Sequence, residues 1–180
     1  MAKEKVKIMA PGADRAPGPY RNWAGVRPVA KIMLSACLAG INCVYDGTNK
    51  FNPVFARLYK SGEAIVFCPE VLGGLKIPHS PSEIVGGDGF AVLEARAKVL
   101  SKDGKDVTSF FIKGAENVLA IARKHNINKV ILKSKSPSCG CGLIFDGHFS
   151  GKLVHGYGVT AAFLKKNGIE VVCDTQETDK

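Results

Sequence analysis

Three cysteines, Cys37, Cys68 and Cys139, each follow a short apolar run bounded by turn residues, and this pattern constrains the fold more than any other feature of the chain. The runs occupy residues 31–36, 64–67 and 129–133. Short runs that are apolar throughout, rather than alternating, are the mark of strands buried on both faces, as in parallel sheets. In open α/β sheets, ligands bind outside the carboxyl ends of the strands. Segments leaving three such ends can therefore bring distant cysteines into one small volume. The expectation is a single Rossmann-like, three-layer α/β domain with a mostly parallel sheet and a site at the carboxyl ends of its strands.

The rest of the pattern fits that frame. From residue 29 onward, strand-like and helix-like segments alternate, which argues for a sheet with helices on its faces. Asn52 is placed to cap a short helix that has Pro53 at its first position and Gly62 past its end. The 3.6-residue repeat of Val107, Phe110, Phe111, Val118, Ile121 and Ala122 predicts a long helix from Asp106 or Thr108 to about His125. A second helix is expected from about Val159 to Asn167, followed by a last strand over 169–172. Between Pro69 and Gly104 glycines and prolines interrupt the helical pattern, and 83–85 with 97–100 read as a hairpin within an insertion over the site. Asp146-Gly147 predicts a hairpin turn between 143–145 and 148–149. The first 29 residues show neither periodicity and read as a disordered or loosely docked extension, leaving residues 30–180 as the folded domain.

At 180 residues, with 46% apolar, the chain can bury a core without a disulfide framework. No secretory signal and no run of about 18 apolar residues is present, so a cytoplasmic, reducing environment without membrane insertion is the default expectation. The formal charge is +9, and residues 1–30 carry six Lys or Arg against two acidic residues, so +4 of it lies there. The mild remainder suits an anionic or nucleobase-like ligand better than an extended nucleic-acid surface. No phosphate-binding loop and no Gly-x-Ser-x-Gly elbow is found, which sets aside nucleotide-driven and serine-hydrolase chemistry.

The cysteines lack the closely spaced pairs of structural zinc sites, and three separated thiolates suit a cluster with one iron left open. The alternative is that Cys37 and Cys68 are core thiols. Ser136-Pro-Ser-Cys-Gly-Cys-Gly142 gathers two hydroxyls, two thiols and two glycines into one loop. Glu70 lies two residues after Cys68, where a partly shielded carboxylate can serve as general acid or base, or else pair with a cation or cap a turn. Cys43 and Cys173 read as packing residues, and the four histidines as surface or turn residues. A non-catalytic iron–sulfur or zinc carrier or sensor fits the cysteines as well, and a reactive Cys139/Cys141 thiol pair less well.

Taken in order, Ser35-Ala-Cys-Leu-Ala-Gly40 with Tyr45-Asp-Gly47, Cys68-Pro-Glu-Val-Leu-Gly-Gly74, Val85-Gly-Gly-Asp-Gly89, Asp106-Val-Thr108, Ser136-Pro-Ser-Cys-Gly140 and Gly158-Val-Thr-Ala-Ala162 resemble the thiouracil desulfidases over about residues 30–173. The resemblance implies a [4Fe-4S] cluster held by Cys37, Cys68 and Cys139, with one iron lacking a protein ligand. It implies a non-redox exchange of a thiocarbonyl sulfur for oxygen on a 2-thiouracil-like base, free, as a nucleoside or within tRNA, with release of sulfide. Glu70 and Ser136 match the acid–base pair, and Tyr45 and Asp46 are candidates for the base pocket. His79 stands where the pattern leads one to expect arginine.

Overall fold

The computed structural model describes residues 30–177, so the extension expected over 1–29 and the last three residues lie outside the described part. Four short strands, β1 (Ile32–Ser35), β2 (Ala64–Phe67), β5 (Lys129–Leu132) and β8 (Glu170–Cys173), form one sheet in the order β2-β1-β5-β8. Every pairing in it is parallel. The period of two sorts their side chains between two cores. Met33, Ile65, Phe67, Val130 and Leu132 face one side, against Val118, Leu119 and Ala122 of α4 (Thr108–Lys124) and Ala161 and Leu164 of α5 (Val159–Lys166). Leu34, Ala64, Val66 and Ile131 face the other, against Phe55 of α1 (Pro53–Lys60). Each fully buried Leu, Val or Phe contributes about 1.5–3 kcal/mol, so the two faces hold the central strands rigidly. The expected three-layer arrangement is present.

The local signals operate as expected. Asn52 Oδ1 accepts from the Val54 amide at 2.9 Å, with Pro53 opening α1. The expected hairpin is β3 (Ser82–Val85) against β4 (Lys98–Ser101), antiparallel from Ser82↔Ser101 to Val85↔Lys98. Two expectations are corrected. The insertion is not free of helix: α2 (Pro69–Gly73) and α3 (Gly89–Leu93) interrupt it, each ended after a single turn or so. The second hairpin, β6 (Cys141–Phe145) with β7 (Leu153–Tyr157), resumes only at Leu153. Asp146 accepts from the His148 amide and from Ser150 Oγ, and these local bonds stabilise a wider loop than a two-residue turn. A last short helix, α6 (Asp174–Glu177), follows β8.

Two glycines set the position of α2. A Cβ on Gly73 would collide with the Phe110 carbonyl, and one on Gly114 with the Pro69 carbonyl. The backbones of α2 and α4 therefore touch, and Asn117 Nδ2 of α4 donates to the Leu72 carbonyl at 2.9 Å. The start of α2, carrying Cys68 and Glu70, is fixed to α4, the longest helix among the described residues.

Candidate metal and active site

The three cysteines arrive from three strand ends. Cys37 lies in a single 3-10 turn, Ala36–Ala39, that continues β1; Cys68 is the N-cap of α2, directly after β2; Cys139 lies in the loop between β5 and β6. All three are free thiols and buried. With Glu70, His79, Ser136, Tyr45 and Asp46 they line one cavity of about 820 Å³. Neighbouring parallel strands end at the same level, so residues 31 and 102 positions apart in sequence meet there by register alone.

The Cys139 loop is held from behind by α5. The amides of Val159 and Thr160 donate to the Pro137 and Ser138 carbonyls at 2.8 and 3.0 Å, and the Gly158 amide donates to Gly140 at 2.7 Å. The first amides of a helix have no partner within it, and here the loop's carbonyls satisfy them. A Cβ on Gly158 would run into the Ser136 and Ser138 carbonyls, which is why a glycine opens this helix. Within the loop, Ser136 Oγ accepts from the amides of Ser138 and Cys139, both at 3.1 Å. Both oxygen lone pairs are thereby engaged, leaving Ser136 a hydroxyl proton to give. Ser35 ties the strand ends together: its Oγ accepts from the Lys133 amide at 3.1 Å and donates to Cys139 Sγ at 3.4 Å.

A fourth thiol, Cys43, packs in the core as expected and also reaches the site. Cys43 does not simply fill space; it lines the cavity and its thiol contacts both Cys37 and Cys68. Donation from Cys43, opposed by burial and aided by the Lys133 ammonium, holds the Cys37 thiol below its ordinary pKa, while the same contacts push Cys43 far above its own. Burial pushes Cys139 up, against the Ser35 hydrogen bond, and the charges of Cys37, Cys68 and Glu70 push in the same direction. Three buried sulfur donors on one cavity are a donor set suited to a soft metal centre, which takes them as thiolates. Among the described residues no three His, Cys, Asp or Glu side chains are placed to hold a metal ion; Cys37, Cys68 and Cys139 share the lining of one cavity, and cysteine sulfur is the donor type that iron–sulfur clusters take. Cys173, the other residue assigned to packing, is joined to Cys141 by a disulfide with Cα atoms 5.7 Å apart, which links β8 to β6.

Glu70 sits in the first turn of α2, and His79 approaches it from the segment before β3, Nε2 to Oε2 3.2 Å. His79 is thus a cavity residue and not the surface or turn residue expected of it. Its amide donates to the Tyr45 carbonyl at 2.8 Å, and the Tyr45 ring lies tilted against the imidazole, centroids 6.4 Å apart. Tyr45, 41% exposed, stands on the rim. Asp46 Oδ1 accepts from the Thr48 amide and hydroxyl, which lowers its pKa; its first task is the turn that carries Tyr45. Glu83, 7% exposed, also reaches the cavity and accepts from the Phe149 amide at 3.0 Å, pinning the β6–β7 loop to the β3–β4 hairpin. The sequence reading gave no site role to Ser35, Cys43 or Glu83, and marked His79 only as standing in place of an expected arginine; Ser35 alone stands inside a quoted cysteine motif that could have drawn attention to it.

The chain is similar to known proteins over nearly all of its described residues. The family model described as 2-thiouracil desulfurase matches residues 32–176. The uncharacterized protein YbbK of Bacillus subtilis (strain 168) is 44% identical over 148 residues, covering 82% of this chain and 98% of its own length. The solved structure of the [4Fe-4S]-dependent thiouracil desulfidase TudS superposes with a TM-score of 0.73 at 38% identity, covering 83% of this chain and 94% of that one.

Proposed function

Since this chain belongs to the 2-thiouracil desulfurase family, we propose that it is an iron–sulfur desulfidase that replaces the thiocarbonyl sulfur of a thiolated pyrimidine with oxygen. The observation that carries the proposal is the convergence of Cys37, Cys68 and Cys139 with Glu70 and Ser136 on one cavity. The three thiols would hold a [4Fe-4S] cluster. When bound, that cluster supplies an iron without a protein ligand, a soft Lewis acid suited to a thiocarbonyl sulfur.

The chain's own residues do the rest. Net reaction adds one water to the thiocarbonyl compound and yields the carbonyl compound and hydrogen sulfide, so two protons must leave the water and accompany the sulfur. Glu70, at the cavity wall, is the group that can accept one from the attacking water and return it. Ser136 donates, since its oxygen already accepts two amide hydrogens. Tyr45 at the rim offers a ring face to a flat base, and Asp46 shapes the turn beneath it. A cavity of about 820 Å³ accommodates a pyrimidine with room for a larger substituent.

The test is anaerobic purification with iron and acid-labile sulfide analysis, followed by incubation with 2-thiouracil and detection of uracil and sulfide. The expected result is about four iron and four sulfide per chain with uracil formed, and turnover abolished in Glu70→Gln with the cluster retained. A cluster without turnover of any thiolated pyrimidine would favour the carrier or sensor reading, and full activity of Glu70→Gln would remove Glu70 from the mechanism.

A further inference from the structure

The Glu70–His79 contact ties α2 to the segment that leaves it for β3. Glu70 rides on α2, fixed against α4 by the glycine crossing, whereas His79 belongs to the irregular segment leading into β3. The imidazole is oriented at both ends. Nδ1 lies 2.9 Å from the Ser80 carbonyl, which only accepts, so Nδ1 carries a proton. Nε2 then faces Glu70 Oε2 at 3.2 Å, with one proton shared in that contact. The His79 backbone amide is tied in turn to the Tyr45 carbonyl, which fixes the segment that carries the ring. Both side chains are largely buried, 14% and 16% exposed, so solvent competes weakly for the bond. One carboxylate oxygen is thus held, and among the described residues the other has no hydrogen-bond partner.

We propose that His79 is the positioning residue for Glu70: it fixes the carboxylate plane so that the second oxygen is presented to the cavity. This rests on the reading of Glu70 as the proton-handling group. A carboxylate free to rotate would spend most of its time away from the geometry that proton transfer requires, and small misplacements of that kind reduce turnover with little effect on binding. Partners that orient a reacting group from outside its first contacts typically affect activity by about 10–100-fold.

The discriminating experiment compares the loaded wild-type enzyme with His79→Phe, which keeps an aromatic ring of similar size and loses both ring nitrogens, and with His79→Gln, whose amide can still donate to Glu70. For 2-thiouracil, His79→Phe is expected to lower kcat by about 10–100-fold with KM nearly unchanged and iron and sulfide content equal to wild type, and His79→Gln to restore most of the loss. Crystal structures of the three anaerobic proteins supply a readout independent of turnover: the Glu70 carboxylate should rotate in His79→Phe and return in His79→Gln. Full kcat in His79→Phe with an intact cluster, or an unmoved carboxylate, overturns the proposal. An inactive His79→Phe that His79→Gln does not rescue, with Glu70 in its wild-type position, also overturns it. Failure of the underlying reading looks different: Glu70→Gln then stays active, whatever the His79 variants do.

Discussion

The two sides of the cavity are built in opposite ways. The floor is the carboxyl edge of the parallel sheet, where Cys37, Cys68 and Cys139 are set by strands whose neighbours in both cores are fully buried. The roof is made from two hairpins that share an apolar core of their own through Ile84, Val99 and Ile144, and only their ends at the cavity meet through a polar contact, Glu83 to the Phe149 amide. Close-packed apolar layers resist small displacements, while hairpin ends with few buried apolar contacts open more readily. The three cysteines thus sit on the buried edge of the sheet, across the cavity from hairpin ends held by fewer contacts.

This contrast can be attacked directly. The largest effect is expected from Gly158→Ala, on the floor: the new methyl meets the Ser136 and Ser138 carbonyls, so the Cys139 loop must shift. Overpacking of this kind costs about 1–3 kcal/mol. Denaturant melts should show that loss, and iron analysis should show a poorly loaded protein; a variant with normal stability and full iron would mean that the loop is not held rigidly by α5.

On the roof, Glu83→Gln keeps the size of the side chain and removes the charge that the Phe149 amide donates to. A loss of about 1 kcal/mol is expected, with normal iron content and a raised KM for the thiolated base. If iron were lost as well, floor and roof would be one mechanical unit.

A pH series on the junction of the two comes next in size. Hydrogen bonding to Glu70, against the opposing effect of burial, raises the His79 pKa above its ordinary 6.5. A pKa raised by folding means that the folded state binds the proton more tightly. The pair's contribution is therefore complete below about pH 6.5 and lost as pH climbs through the raised value. The stability gap between wild type and His79→Gln should narrow over that range, by about 1 kcal/mol or less. A gap that widened with pH would contradict the pairing.

The smallest effect belongs to the outer surface. Lys98 and Asp106 are 3.1 Å apart but 69% and 45% exposed, and Lys98→Ala should leave the denaturant midpoint at physiological salt indistinguishable from wild type.

Much of this was legible beforehand because it is local. The apolar runs ending at Cys37, Cys68 and near Cys139, the Asn52-Pro53 helix start and the apolar face of α4 are each written within a few residues, where propensity and periodicity act directly. The short helices α2 and α3 were not legible, since one turn carries no period to detect and their glycines argued for loops. Helix-breaking composition was outweighed by packing: Gly73 is tolerated because α2 needs backbone contact with α4.

The sequence by itself determined the α/β class, the strand ends that carry thiols, and the proximity of Glu70 to Cys68 and of Ser136 to Cys139. Only the tertiary structure decided that Ser35 reaches Cys139 across 104 positions, that Cys43 lies against two other thiols, and that His79 meets Glu70. These contacts depend on which strands lie side by side and where each ends. That register is set by burying both faces of the sheet at once, a property of the whole chain and of no segment within it.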